Sequence, residues 1–268
     1  MGRLAVASLW HELALEPKPG LVSLRDTGAH DDMSATTFIR SLFALRGYFR
    51  DVAEAGAVAV PAGRMRELGC EAEARMLRAT GGVNTHRGAI FVLGWLVAGC
   101  ARTLASVGYP ADRAVRATLA ETWGKAFGEW PRPADSHGAH VAWRYGACGA
   151  VSEAAAGFPS VFTIGLPALR AARRRTGDVR LARLAALVAL MARVHDTNVL
   201  HRGGVAGLRF VHERAAALAC DPDLLTAHGA ARARHLHAEL VARRLSPGGC
   251  ADLLAGTLFV DAVQRAAA

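Results

Sequence analysis

Lysine is almost missing from this chain. It occurs only at Lys18 and Lys125, so arginine supplies nearly all of the 32 basic residues behind a net charge of +9. A guanidinium forks onto phosphate oxygens in pairs, and a basic excess suits nucleotides, acidic cofactors or nucleic acid. Aromatic residues are also few, at 6%. None interleaves with basic residues as a surface for single-stranded nucleic acid requires. Runs such as "RRR" at Arg173 to Arg175 read as a solvated face of an alanine- and arginine-rich composition. The five cysteines, at 70, 100, 148, 220 and 250, are scattered and show no C-x-x-C spacing. That excludes a zinc ribbon and a disulfide framework and suits a reducing cytoplasm. The N-terminal stretch "MGRLAVASLWHELALEP" carries His11 and Glu12 within its apolar part and reads as a helix rather than a signal peptide. The longest apolar run, "AIFVLGWLVAGCA", falls short of the roughly 20 residues that cross a bilayer. A cytoplasmic protein without a membrane segment is expected. Alternating strand patterns are scarce, and neither an internal repeat nor a long linker is visible.

What the chain does contain is alanine, leucine and valine, within a hydrophobic content of 52%. Alanine and leucine favour helix, and the apolar residues recur at helical spacing. In Met65–Ala79, residues Met65, Leu68, Ala72 and Met76 share one face, while Glu67, Glu71 and Arg78 lie opposite. The same periodicity predicts helices near Ala5–Glu16, Ala35–Ala53, Ile90–Ala105, Ala111–Phe127, Val161–Arg175, Val179–Val194, Leu208–Ala219, Leu224–Arg243 and Ala251–Ala267. The expected fold is all-α: a single domain over residues 1–268, a multi-helix bundle with its site on glycine-rich helix-end loops.

Five polar, glycine-bearing patches interrupt these helices: "EPKPGLVSLRDTGAHDDM", "TGGVNTHRGAI", "DSHGAHVAWRYGACGAVSEAAAGFP", "HDTNVLHRGG" and "SPGGCADLL". Helix N-termini and glycine-rich turns expose backbone N–H groups that suit anionic oxygens. One such patch would be ordinary capping, and Ser246 followed by Pro247 is a good helix start in its own right. Five patches that together carry His, Asn, Asp and Arg point to a site.

Taken in order, "EPKPGLV", "GAHDDM", "TGGVNTHRGAIF", "SHG", "GFP", "DTNVLHRGG" and "SPGGCADLLA" resemble the triphosphoribosyl-dephospho-coenzyme A synthase family, from about Glu12 to Leu258. The resemblance implies an all-helical fold and a transferase reaction. ATP and 3′-dephospho-coenzyme A would give 2′-(5″-triphosphoribosyl)-3′-dephospho-coenzyme A and free adenine. A phosphoribosyl-dephospho-coenzyme A transferase would then attach this precursor to an acyl carrier protein. The absence of a fused transferase domain leans toward malonate decarboxylase over citrate lyase.

That chemistry breaks a glycosidic bond through an oxocarbenium-like transition state. It needs grips for a triphosphate, a carboxylate for proton transfer and exclusion of water. The phosphate candidates are Lys18, Arg87 and Arg202, with backbone amides near Gly81–Gly82, Gly203–Gly204 and Gly248–Gly249. The catalytic candidates are Asp32, Glu73, Glu153 and Asp196. Asp32, Glu73 and Asp196 are also the candidate ligands of a magnesium ion arriving with ATP. Asn84, Thr85, His86, His137, Asn198, His201 and Ser246 complete the candidate substrate contacts. Glu73 falls at the margin of the apolar face of its helix, where it pairs with a metal, a proton or Arg66. His195 lies on an apolar face and reads equally as a core histidine. Cys148 is read as structural. A magnesium-dependent hydrolase of N-glycosidic or ADP-ribosyl bonds on a similar helical scaffold remains the alternative. A non-enzymatic basic protein remains a third, disfavoured because the informative arginines sit in glycine-rich turns. A homo-oligomer is compatible with all three.

Overall fold

The computed structural model describes residues 1–129 and 149–268. Those residues form twelve α-helices and one π-helical turn, with no strand among them. In chain order the helices are α1 (Gly2–Leu13), α2 (Ala35–Ala44), α3 (Arg46–Ala57), α4 (Ala62–Thr80), α5 (Arg87–Val107) and α6 (Asp112–Gly128). After the gap come α7 (Ala150–Ala155), the π turn (Ser160–Gly165), α8 (Leu166–Thr176) and α9 (Val179–Met191). The last are α10 (Thr197–Ala219), α11 (Ala227–Ala242) and α12 (Gly248–Ala267).

The ends of these helices follow local chemistry. Asp178, Asp196 and Thr226 each accept two backbone N–H groups and start α9, α10 and α11. Gly81, Gly108 and Gly177 adopt the left-handed conformation that ends α4, α5 and α8. The Thr226 cap explains why α11 begins at Ala227 rather than Leu224. The helix predicted over Ala35–Ala53 is two, because the chain turns at Leu45. The one predicted over Val161–Arg175 opens as a π turn, where Gly165 lies against the side chain of Thr257. The short α7 was not foreseen. The largest departure is α10. It starts at Thr197 rather than Leu208, so "NVLHRGG" is helical, and a non-helical residue at Gly204 (φ 59°, ψ −160°) kinks it.

The core is organised around α5, which buries Ile90, Leu93, Leu96 and Val97 among others. Helices α1, α3, α4, α6, α7 and α12 all pack on it. Close approach relies on small residues: a Cβ on Gly256 of α12 would stand 2.6 Å from Cδ1 of Leu96. By length and composition alone α5 would cross a membrane, since the helix outruns the apolar run seen in sequence. Here 67% of its most apolar stretch is buried by the protein, as befits a core helix. With α12 it forms the apolar axis of the bundle, so the N-termini of α5 and α12 meet at the same end as α1's C-terminus.

Candidate active site

Asp196 joins two of the glycine-rich patches. Its Oδ1 accepts the N–H groups of Asn198 at 2.8 Å and Val199 at 3.3 Å, capping α10. Its Oδ2 accepts the Cys250 N–H at 2.8 Å, in the first turn of α12. Two glycines permit this approach: a Cβ on Gly249 would stand 3.1 Å from Oδ2 of Asp196, and one on Gly248 2.9 Å from Nδ2 of Asn198. Burial raises the Asp196 pKa, against the pull of the three backbone N–H bonds. Burial, with the Asp196 charge beside it, also pushes the Cys250 thiol up, so it stays protonated and unreactive.

The loop between α1 and α2 closes over this junction. Lys18 is almost fully buried, and its Nζ pairs with Oε1 of Glu12 at 2.8 Å and donates to the Glu12 carbonyl at 3.2 Å. Farther along, His30 Nε2 lies 2.8 Å from the hydroxyl of the buried Ser246. Arg202 donates to the carbonyls of Ala29 (2.8 Å) and Arg244 (3.2 Å) and meets Nδ1 of His30 at 3.1 Å. The arginine thereby ties the loop to α10 and to the turn before α12.

The third component is the turn from α4 into α5. Gly81 and Gly82 both have positive φ, 67° and 90°, and a Cβ on either would meet nothing within 4 Å, so this backbone edge is open. Asn84 Oδ1 accepts the Arg87 N–H at 3.2 Å and caps α5. His86 is buried, and its Nδ1 meets the Ser41 hydroxyl at 2.6 Å. Burial, and then the charge of Lys18, hold the His86 pKa down to about 3, so the ring is neutral. Its Nε2 and the hydroxyl of Thr85 are both buried without a hydrogen-bond partner. Arg87 pairs through Nε with Glu73 at 2.8 Å, joining α5 to α4.

Two acidic residues belong here that the sequence reading did not single out. Asp252, in the second turn of α12, accepts the Ala89 N–H at the start of α5. Its carboxylate lies against Gly88, where a Cβ would overlap Oδ2. Glu12 and Asp196 both act on it as like charges. Glu12 had a signal in sequence: it falls with Ala5, Leu9 and Leu13 on the apolar face of α1, where an acid needs a partner. Asp252 lies within "SPGGCADLL", but nothing in its spacing separates it from a solvated helix acid.

The structure corrects several expectations. Lys18 is no open phosphate grip, because its ammonium is committed to Glu12 inside the protein. Glu153 is engaged by Ser160, whose N–H and hydroxyl reach it at 3.2 and 2.6 Å, so it braces the π turn. Glu73 pairs with Arg87 rather than Arg66. Gly203 and Gly204 lie within α10 rather than in a turn; a Cβ on Gly203 would stand 2.5 Å from Leu245 Cδ2, so its smallness serves packing. Helix α12 starts at Gly248, three residues before the predicted Ala251, and its cap is Pro247 rather than Ser246, whose hydroxyl meets His30. Arg202 is turned to loop carbonyls. Asp32 is exposed, 3.5 Å from His30. His201 lies on an exposed part of α10, and His137 lies outside the described residues, as does Cys148.

Asp32, Glu73 and Asp196 do not gather into a ligand set. Among the described residues no three Asp, Glu, His or Cys side chains come together to hold a metal. Both oxygens of Asp196 face backbone N–H groups, and Glu73 faces a guanidinium. The side chains therefore do not fit a protein-built magnesium cage.

Comparison with known proteins agrees with this architecture and names its class. A Pseudomonas fluorescens protein named "Probable 2-(5''-triphosphoribosyl)-3'-dephosphocoenzyme-A synthase" is 42% identical over 271 residues, covering 97% of this chain and 90% of that one. A Klebsiella pneumoniae protein named 2-(5''-triphosphoribosyl)-3'-dephosphocoenzyme-A synthase is 40% identical, covering 97% of this chain and 89% of its own. The crystal structure of a protein from Archaeoglobus fulgidus shares the fold with a TM-score of 0.54. It is 17% identical and covers 84% of this chain and 98% of that one. The profile of the ATP:dephospho-CoA triphosphoribosyl transferases matches residues 1–268, and the chain belongs to that family of ATP-dependent transferases.

Proposed function

We propose that this protein moves the 5-triphosphoribosyl group of ATP onto the 2′-hydroxyl of 3′-dephospho-coenzyme A and releases adenine. The observation that carries the reading is the junction of the α5, α10 and α12 N-termini, with two buried, unpartnered polar atoms, Thr85 Oγ1 and His86 Nε2, at the α5 end. Buried polar groups are ordinarily satisfied, so a ligand is their natural partner.

The open Gly81–Gly82 edge and the first turn of α5 supply N–H groups and a positive dipole end for the triphosphate. Arg87, held by Glu73 and half exposed, adds a guanidinium beside them. His86 is neutral, so it orients a ribose or base by hydrogen bonding without adding charge. The first turns of α10 and α12, with Asn198, Gly248 and Gly249, lie next to this edge and suit the second nucleotide. Magnesium accompanies the triphosphate as its counter-ion, held by phosphates and water rather than by a protein cage. In this reading the enzyme works in the cytoplasm. Its product passes to a phosphoribosyl-dephospho-coenzyme A transferase and an acyl carrier protein, with malonate decarboxylase as the end user.

The test is chromatography of purified protein incubated with ATP and magnesium, with and without dephospho-coenzyme A. Adenine should appear only with both substrates, alongside a product heavier by one triphosphoribosyl unit. Equal adenine release without the acceptor would favour a glycosidic hydrolase and sink the transferase reading.

A further inference from the structure

Asp252 has a setting unlike that of any other acid in the described residues. It stands in the second turn of α12 and touches the first turn of α5, so it joins two of the helix starts proposed to hold the substrates. The contact depends on Gly88: a Cβ there would overlap Oδ2 and stand 2.9 Å from Cγ. The charged groups that face it are Glu12 from α1 and Asp196 from the start of α10. The one ammonium nearby, on Lys18, is 2.8 Å from Glu12. Among the described residues no cation pairs with Asp252. Asp196 differs, because both its oxygens are spent on three backbone N–H groups. Glu12 differs too, because it has its ion pair.

Resting on the transferase reading above, we propose that Asp252 is the catalytic acid of this site, giving a proton to the departing adenine. A carboxyl among carboxylates, without a cation, relieves the repulsion by holding a proton. Burial and the two like charges accordingly raise its pKa well above the carboxylate range, while the Ala89 N–H pulls the other way. In the step, the C1–N9 bond breaks and its electron pair goes to the purine, which takes the Asp252 proton. The 2′-hydroxyl oxygen forms the new C1–O bond, and its proton passes to the carboxylate left on Asp252. One proton leaves the acceptor and one stays on adenine, so the enzyme returns to its starting state. One carboxyl thus serves as acid and then base, as in retaining glycosidases.

The experiment compares wild type with Asp252→Asn, using ATP and 6-chloropurine riboside triphosphate, whose base leaves with less need of a proton. Asparagine cannot donate an acidic proton but matches the shape. With ATP, kcat should fall by about 100-fold or more, within the range for general acid catalysis, while KM for ATP stays within about threefold. With the chloropurine substrate the loss should shrink at least about tenfold, because the acid matters less. The falling, alkaline limb of the wild-type kcat profile should be absent from the variant. A variant with near wild-type kcat, or one that loses both substrates equally, overturns the role of Asp252 and leaves the transferase standing. A wild type that releases no adenine overturns the function itself, and the role of Asp252 with it.

Discussion

Replacing Lys18 by methionine separates two roles that the sequence could not tell apart. A phosphate grip would be dispensable for folding. A buried half of an ion pair would not. Lys18 and Glu12 are 2% and 4% exposed, and their charged atoms are 2.8 Å apart. Methionine keeps most of the stem but strands the Glu12 carboxylate in the interior. Removing one partner of a buried pair costs about 3–5 kcal/mol. For a chain of this size, at roughly 2–4 °C per kcal/mol, that corresponds to a melting point lower by about 10 °C. The double replacement Lys18→Met with Glu12→Leu removes both charges and should return stability to within about 2 kcal/mol of wild type, since apolar substitutes for a buried pair are often neutral or better. Urea denaturation followed by circular dichroism, on both single variants and the double, completes the cycle. If Lys18→Met costs less than about 1 kcal/mol, or if the double loses the sum of the singles, the buried pair is not what holds the loop. A variant of unchanged stability with a raised KM for ATP would restore the phosphate role instead.

Gly88→Ala should be nearly silent in stability and costly in activity. A helix gains up to about 1 kcal/mol from the change, which offsets the roughly 1 kcal/mol hydrogen bond from Ala89 lost when Asp252 is displaced; a tenfold or greater loss of turnover at an unchanged melting point is expected, and full activity would refute the contact. His86 is held to a pKa of about 3, below its unfolded value near 6.5. The unfolded chain therefore binds the extra proton first, and stability is whole above pH 6.5 and falls as pH drops toward 3. The slope is about 1.4 kcal/mol per pH unit, or about 2 kcal/mol by pH 5. His86→Gln should flatten this part of the melting-point profile, and parallel curves for the two proteins would refute it. Asp196→Ala removes a helix cap worth about 1 kcal/mol and orphans the Cys250 N–H at about 1–3 kcal/mol. A loss of about 2–4 kcal/mol in urea denaturation is expected, and a loss under about 0.5 kcal/mol would count against the brace.

Much of the fold was legible because each helix could be read alone. The apolar spacing of Met65, Leu68, Ala72 and Met76 needs no tertiary information. The start of α10 was not legible in the same way. "NVLHRGG" has poor helix formers, and only the Asp196 cap and the packing of Gly203 on Leu245 make it helical. The site was legible as a set of patches and much less as a set of roles. Charge and sequence neighbourhood marked Lys18 and Arg202 as binding groups, but the folded chain claims both: Glu12, on the preceding helix, for one, and the distant Ala29 and Arg244 carbonyls for the other. Asp252 went unnoticed for the converse reason. Its distinction comes from Gly88, Glu12 and Asp196, residues brought to it only by the fold.

The burial of Lys18 also has a practical side. With lysine only at positions 18 and 125, and Lys18 enclosed, the exposed amine of Lys125 on α6 is the one lysine that an acylating reagent can reach in the folded protein. Dyes, biotin or a solid support attached through lysine would therefore join every molecule at the same point. Acylation of Lys18 would report directly that the loop over the junction had opened.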